Sequence, residues 1–354
     1  MNAPLPFSAE TIAIADLDDP GQFARIESYV ASMGGTPFHR PTWLRAVERG
    51  TGQQALGLVA EKAGRITGWL PLTLVHSPFF GRALVSSGFA VGGGVLAESE
   101  RTALALCCQT EELAGRLSCQ TVELRGGALP EDWDIITSSH CGFTADLVAD
   151  EEAQLLAIPR KQRAEIRKGL KLKLTVETGR SEADRAAHNA VYAQSVRNLG
   201  TPVFPRSLFG AVLDAFGEDA DILTIRQDGV PVASVLSLYH GGAVMPYWGG
   251  GTAAARQLRA NEVMYFELML HARRRGCTRF DFGRSKTGSG PYHYKKNWGF
   301  DPQPLTYASW TEAGTNKRNI DPTSDSYSAG IALWKRLPLP IANRLGPLIA
   351  RGLG

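Results

Sequence analysis

The chain predicts a duplicated α/β protein, and two features that repeat in order at nearly one offset predict it. The segment from Val59 to His76, VAEKAGRITGWLPLTLVH, and the segment from Thr224 to His240, TIRQDGVPVASVLSLYH, each read as a strand, a charged glycine turn and a second strand ending in histidine. Downstream of each lies a stretch of helical period that closes on a cysteine and a short strand. These are LSCQTVEL around Cys119 and RGCTRFDF around Cys277. The turn glycines Gly64 and Gly229 are 165 residues apart and the cysteines 158. An internal repeat at that period marks two copies of one domain.

In chain order, the first copy runs from about Thr11 to about Cys141 and the second opens near Asp146. This gives domains at 1–145 and 146–312, followed by a linker and a basic–apolar tail at 313–354. Asp150-Glu151-Glu152 starts a helix, its acids matching the positive end of the macrodipole. Thr311 to Ser328, rich in Thr, Ser, Asn, Asp and Gly, reads as a surface loop. In the tail, prolines at 338, 340 and 347 oppose one continuous amphipathic helix. Packing on the body, with at most a weak membrane-surface contact, is expected there.

At 354 residues, 44% hydrophobic and 21% charged, the chain has room for two ordinary cores. No apolar run reaches the ~18 residues of a membrane span, and the first residues, Met-Asn-Ala-Pro-Leu-Pro, lack a signal peptide's basic and apolar regions. The five cysteines form no C-x-x-C pair, so reduced thiols in a cytoplasmic protein are expected. His271 follows Glu267 by four, with no second histidine to make a zinc motif, and no metal or other cofactor is expected. The run from Gly283 to Gly288 has Ser289 where a phosphate loop needs lysine, and it lacks the glycine of a hydrolase elbow.

Two stretches carry chemistry. From Arg160 to Lys173 seven basic residues face one acid, Glu165, for a local charge of +6 in a chain of net +3. On a helix Arg160, Arg163, Arg167 and Lys171 share one side, with Ile166 and Leu170 on another. This is either a solvated face or a rim of arginines suited to phosphate oxygens. The second stretch is RFDFGRSKTGSGPYHYKKNWGF, Arg279 to Phe300. Arg279 to Phe282 reads as a buried strand and a glycine-rich loop follows. The aromatic–basic run from Tyr292 to Trp298 then suits a polyanionic ligand with a flat group, or an aromatic core strand with two solvated lysines.

These motifs resemble the FemAB family. More narrowly, the chain is similar to the FemAB-like proteins of exosortase/PEP-CTERM and exopolysaccharide systems, in the BioF-like acetyltransferase grouping. The resemblance runs from Phe38-His39-Arg40-Pro41 to Trp310. It is most specific at Pro159 to Gly169 and at Asp281-Phe-Gly-Arg284-Ser285 leading into Tyr294-Lys295-Lys296-Asn-Trp298-Gly-Phe300. It implies two tandem GNAT-like (acyl-CoA N-acyltransferase-like) α/β domains, with mixed twisted sheets flanked by helices. It also implies acyl transfer, aminoacyl or acetyl in type, to an amine or hydroxyl of a phosphate-bearing glycan or lipid-linked envelope precursor. By position Lys295 matches the family's lysine near the acceptor diphosphate and is the expected catalytic residue, with Arg163 or Arg167 as its basic partner on the wall of the same cleft. Lys168, Arg284, Ser285 and Lys296 complete the expected substrate set. The motif is taken as a strand, so that Tyr294 and Lys295 point to opposite sides of a sheet.

Two departures bear on the donor. Arg256-Gln-Leu-Arg259-Ala-Asn261 has neither glycine of an acyl-CoA pyrophosphate loop, and no heptad arm is present. The donor is open between aminoacyl-tRNA, acyl-CoA and another activated acyl group. Rival readings are an RNA-binding module, which would interleave rings with the basic residues of 160–173, and a non-catalytic ligand-binding protein of an envelope or export system. DNA is not an expected partner.

Overall fold

The computed structural model describes residues 9–78, 80–315, 325–352 and 354. The first six residues, and residues 316–324 of the expected loop between Thr311 and Ser328, lie outside them, while Thr311 ends a strand and 325–328 open a helix. The chain divides into two compact units. Unit 1 holds Met1–Ile136, Thr306–Asn319 and Gly352–Gly354, and unit 2 holds Thr137–Leu305 and Ile320–Arg351.

Unit 1 begins with β1 (Thr11–Ile14), α1 (Pro20–Ser32) and α2 (Pro41–Thr51). The hairpin strands β2 (Gln54–Lys62) and β3 (Arg65–Ser77) follow, then β4 (Gly81–Ser86), β5 (Leu96–Ala97), α3 (Glu100–Arg116) and β6 (Thr121–Arg125). Next in the chain come β7 (Asp134–Asp146), α4 (Glu151–Ala157) and α5 (Arg160–Leu170). Unit 2 continues with β8 (Leu174–Gly179), α6 (Glu182–Leu199), α7 (Arg206–Phe216), β9 (Ala220–Gln227), β10 (Val230–His240) and β11 (Ala243–Gly251). After these come α8 (Ala255–Leu258), α9 (Ala260–Arg274), β12 (Arg279–Lys286), α10 (Gly290–Asn297), β13 (Pro302–Thr311), α11 (Asp325–Arg336) and α12 (Leu339–Ala350).

The sheet of unit 1 runs β1-β2-β3-β4-β6-β13, and that of unit 2 runs β8-β9-β10-β11-β12-β7. In each, every neighbouring pair is antiparallel except the fourth with the fifth. That one parallel pairing joins Leu84 to Val122 in unit 1 and Val244 to Phe280 in unit 2. The last strand of each sheet comes from elsewhere in the chain: β13 lies beside β6, and β7 beside β12.

The repeated residues explain the repeated geometry. Ala63-Gly64 and Asp228-Gly229 all have positive φ, 51° and 76° in the first pair and 49° and 79° in the second. Such turns match the right-handed twist of a hairpin. Helices α3 and α9 close alike: Cys119 N–H donates to Ala114 C=O and Cys277 N–H to Ala272 C=O, both at 2.9 Å. Ser118 and Gly276 take the left-handed position just before. The two cysteines are buried thiols within the cores. In unit 1 the core gathers Leu58, Leu72, Leu106 and Leu124, with Trp69 and Ile26 in a neighbouring cluster. Phe143, Ile166, Val235, Phe266 and Phe280 centre that of unit 2.

Candidate functional site

Helix α5 is built with two contrasting sides. Gln162, Ile166 and Gly169 are buried at helical spacing. Gly169 lets α5 lie against α9, since a Cβ there would stand 2.5 Å from Val263 Cγ2. Leu170, expected on the apolar side with Ile166, is 41% exposed, because it stands one position past Gly169 and turns about 100° from it. On the outer side Arg160, Arg163, Arg167, Lys168 and Lys171 line, with Ala164, a groove of about 380 Å³. The helix's one acid pairs with one of these cations and leaves the arginines of the groove to themselves. Glu165 accepts from Lys168 Nζ at 2.6 Å and Arg259 Nε at 2.5 Å, and these bonds hold its carboxyl below the usual range.

Arg259 is the residue that launches α9. It sits at φ 54°, a left-handed position that costs a side-chain-bearing residue about 1–2 kcal/mol. Its Nη1 donates to Arg256 C=O at 2.6 Å. The segment from Arg256 to Asn261 is therefore a single helical turn and a tied arginine, where the sequence had only shown missing glycines.

Strands β11 and β12 pair at just two positions, Ala243 with Arg279 and Val244 with Phe280. Beyond these, Tyr265 of α9, Phe282, Tyr294 and Trp298 form one aromatic cluster, with Tyr265 and Phe282 centroids 4.6 Å apart. On β12, Asp281 faces Thr144 and Arg284 faces Gly142, so the strand carries one extra residue. Gly283 supplies the bulge at φ 68°, and its N–H donates to Asp281 Oδ1 at 2.9 Å. The extra residue shifts the alternation. Arg284 comes out on the face of Asp281, and Ser285 joins the helix-covered face of Phe280.

The run from Tyr292 to Trp298, expected as a strand, is the helix α10. Ser289 caps it, its Oγ accepting from Tyr292 N–H at 3.4 Å, and Pro291 stands in the first turn. Those two residues were the available signal, overshadowed by the alternation of Tyr292 and Tyr294. The glycine-rich loop expected from Gly283 is also shorter, because Gly283 to Lys286 stay in β12. Tyr294 does pack in the core, through helical geometry rather than strand alternation. Its hydroxyl and the Trp298 indole N–H come near each other, yet neither completes a hydrogen bond, and burial pushes the phenol well above its ordinary pKa.

Lys295 is 9% exposed. Its Nζ donates to Arg284 C=O at 2.9 Å and lies 5.4 Å from the ring centroids of both Phe143 and Phe282. Burial lowers its pKa from 10.5 to about 8, with Asp281 opposing and Arg284 adding to the shift. Asp281 is itself raised by burial. The structure thus brings Arg163, Arg167 and Lys168 together in one groove, and Arg284, Ser285 and Lys295 together around the bulge. Lys295 is not among the side chains lining the groove. Lys296 is exposed, its Nζ 5.8 Å above the Tyr292 ring.

Several groups escaped the sequence reading. Glu262, half-buried on α9, is raised by burial, and Tyr265 is pushed up to about 12 by burial and then by Glu262. The buried Gln162 Nε2, Asn261 Oδ1 and Ser285 Oγ have no hydrogen-bond partner among the described residues. Gln162 was legible from its four-residue spacing to Ile166. A second cavity of about 300 Å³ lies between α6, α7 and β9, lined by Glu182, Arg185, His188, Arg206 and Phe209 among others. His188 is fully buried, Nδ1 3.0 Å from Ser234 Oγ, and burial lowers its pKa to about 3. His271 meets Asp221 at 2.7 Å rather than Glu267.

A family model described as an acetyltransferase (GNAT) domain matches residues 159–296, from the residue before α5 to α10. No curated protein matches the chain. Among solved structures, FemX is similar at TM-score 0.61 and 14% identity, over 84% of this chain and 96% of that one. A tandem GNAT protein from the clavulanic acid biosynthesis pathway gives 0.57 at 11%, over 87% and 100%. The C-terminal domain of a putative lysylphosphatidylglycerol synthetase from Agrobacterium fabrum gives 0.55 at 14%, over 82% and 92%. At these identities the likeness is one of fold: the chain carries mixed α/β GNAT-like domains in tandem.

Proposed function

We propose that unit 2 is an acyltransferase whose acceptor carries phosphate, and that the outer side of α5 holds that phosphate. The observation that carries this reading is the groove of five cations inside the stretch matched by the acetyltransferase model. Guanidinium forks at Arg163 and Arg167 can each give a phosphate two parallel hydrogen bonds, Arg160 and Lys171 add charge, and Lys168, paired with Glu165, sits at the edge of the set. The RNA-binding rival is less well supported, since no aromatic residue lines the groove.

In this reading the acceptor is a cell-envelope or exopolysaccharide precursor, glycan or lipid-linked. The protein works in the cytoplasm beside the FemAB-like members of exosortase/PEP-CTERM systems. FemX and a lysylphosphatidylglycerol synthetase share its fold, and the name of the latter denotes an aminoacylated phospholipid. The acceptor's amine or hydroxyl attacks the donor carbonyl, and the oxyanion that forms needs donors already in place. Ser285 Oγ, buried without a partner, is the side-chain donor we assign to that task. Lys295 acts as a positioning residue: its ammonium fixes the Arg284 carbonyl, and with it the bulge that turns Ser285 inward. The arginine-tied turn before α9 favours an aminoacyl-tRNA or other activated donor over acyl-CoA, because it replaces glycine-exposed amides with a side chain.

The test is transfer by the purified protein to lipid- and nucleotide-diphosphate-linked glycans, read by mass spectrometry with aminoacyl-tRNA and acyl-CoA as alternative donors. The reading expects one acyl increment on phosphate-bearing acceptors only. Equal acylation of the same sugars without phosphate would overturn it, as would no increment with any donor when envelope precursors of cells with and without the protein also match.

A further inference from the structure

We infer that helix α12 docks unit 2 on an anionic lipid surface. The inference does not depend on the reaction proposed above. Two sides of α12 differ in kind. Ala342, Gly346 and Ala350 are buried, and α12 packs against α6. Gly346 permits the approach to the chain beside α6, since a Cβ there would meet Val203 N at 2.9 Å. About 100° round the helix, Ile341, Leu345 and Leu348 form a line at spacings of four and three, exposed by 47%, 42% and 51%. Leu333 on α11 is 65% exposed. Three large aliphatic side chains in one stripe on a short helix are more than scattered exposure explains.

The charge around the stripe indicates what covers it. From residue 326 to 354 the chain has Lys335, Arg336, Arg344 and Arg351 and no acid. Arg344 is exposed and lies beside Ile341 and Leu348 at helical spacing, and Lys335 and Arg336 are exposed at the end of α11. A protein surface able to receive this stripe would have to match its cations one by one, whereas a bilayer with anionic headgroups matches them at any orientation about the helix axis. Aliphatic side chains pass below the headgroups while cations remain among them. At 12 residues, α12 is about 18 Å long, enough to lie in the interface and too short to cross. Pro338 caps α12 and parts it from α11, so the stripe is on an element of its own; Pro340 stands in its first turn and Pro347 within it, so of the three prolines only Pro338 breaks the tail's helices. The expectation of packing in the tail holds for the small-residue side, and the lipid contact belongs to the other.

The experiment is flotation of the whole protein with phosphatidylcholine vesicles, with and without phosphatidylglycerol. The wild type is expected to float with the anionic vesicles, less so in high salt. Leu345→Glu/Leu348→Glu should lower that partition at least about tenfold, with an unchanged denaturation midpoint because both side chains are already exposed. Arg344→Gln should lower it about fivefold. Because the cations of α5 also attract anionic lipid, Arg163→Gln/Arg167→Gln serves as a parallel: its partition must still fall when Leu345→Glu/Leu348→Glu is added. Partition unaffected by the leucine changes would overturn the inference. So would absence of partition, or a lipid-free dimer that these changes convert to monomer, which would make the stripe an interface between copies of the chain.

Discussion

Position 125 in unit 1 and position 283 in unit 2 are matched by the repeat, each six residues past the cysteine that closes the preceding helix. Unit 1 has Arg125 there, buried, with Nη1 donating to Ala90 C=O at 2.6 Å and Nη2 to Gly354 C=O at 2.9 Å. The loop it grips is tight: a Cβ on Gly94 would stand 1.9 Å from Gly126 O. Unit 2 has Gly283, whose left-handed φ makes a bulge and sets Ser285 under the helices with a hydroxyl that nothing satisfies. The contrast extends outward. Among the described residues, Ser309 is the one unit 1 residue with an unpartnered buried side-chain polar atom, while unit 2 has eleven, of which Gln162, Asn261, Ser285, Tyr294 and Trp298 lie around α5, α9 and α10. Buried polar groups without partners are costly, and in the reading proposed above a ligand's atoms complete the bonding of those around α5, α9 and α10. Both units keep the same scaffold, and the unpartnered buried polar groups are more numerous in the second.

The comparison breaks first at Arg125. Arg125→Met should destabilise the protein by about 4 kcal/mol, because buried carbonyls lose a charged donor. Chemical denaturation checks this, and a small effect would mean that Arg125 is not structural. Tyr294→Ala should remove about 3 kcal/mol by truncating the aromatic cluster. Tyr294→Phe should be neutral or stabilising by up to about 1 kcal/mol, since it deletes a hydroxyl without a partner. If Tyr294→Phe kept its midpoint and lost turnover, the phenol would belong to the chemistry.

Lysine 295 gives a pH signature. With the native pKa near 8 and the unfolded value at 10.5, the unfolded chain binds more protons between those limits. Stability should therefore rise with pH across that window, by on the order of 3 kcal/mol. Denaturant midpoints of wild type should climb relative to Lys295→Met from pH 8 to 10.5, and parallel curves would contradict the burial of its charge. A smaller loss is expected at Gly283→Ala, about 1.5 kcal/mol from the left-handed backbone alone, since nothing lies within 4 Å of the added Cβ. A kcat loss larger than its stability loss would connect the bulge to transfer.

These contrasts also show which features a sequence displays. The two glycine turns, the cysteine-closed helices and the helix opening after Asp150 were legible because each depends on neighbours in the chain. The cations of α5 were legible by helical spacing. The helix at Tyr292–Trp298 was misread because aromatic alternation outweighed a serine cap and a first-turn proline. The pairing of β13 with β6, and of Lys295 with Arg284 C=O, depends on contacts that no local pattern announces.

The most direct measurement is calorimetric titration of a nucleotide-diphosphate sugar into wild type, Arg163→Ala/Arg167→Ala, and Arg65→Ala as an exposed cation of unit 1. The account predicts binding that weakens with salt. It also predicts a loss of about 10–100-fold or more in the α5 double variant with an unchanged denaturation midpoint, and wild-type affinity in Arg65→Ala. Equal affinity in the α5 variant, or a loss in Arg65→Ala alone, would contradict it.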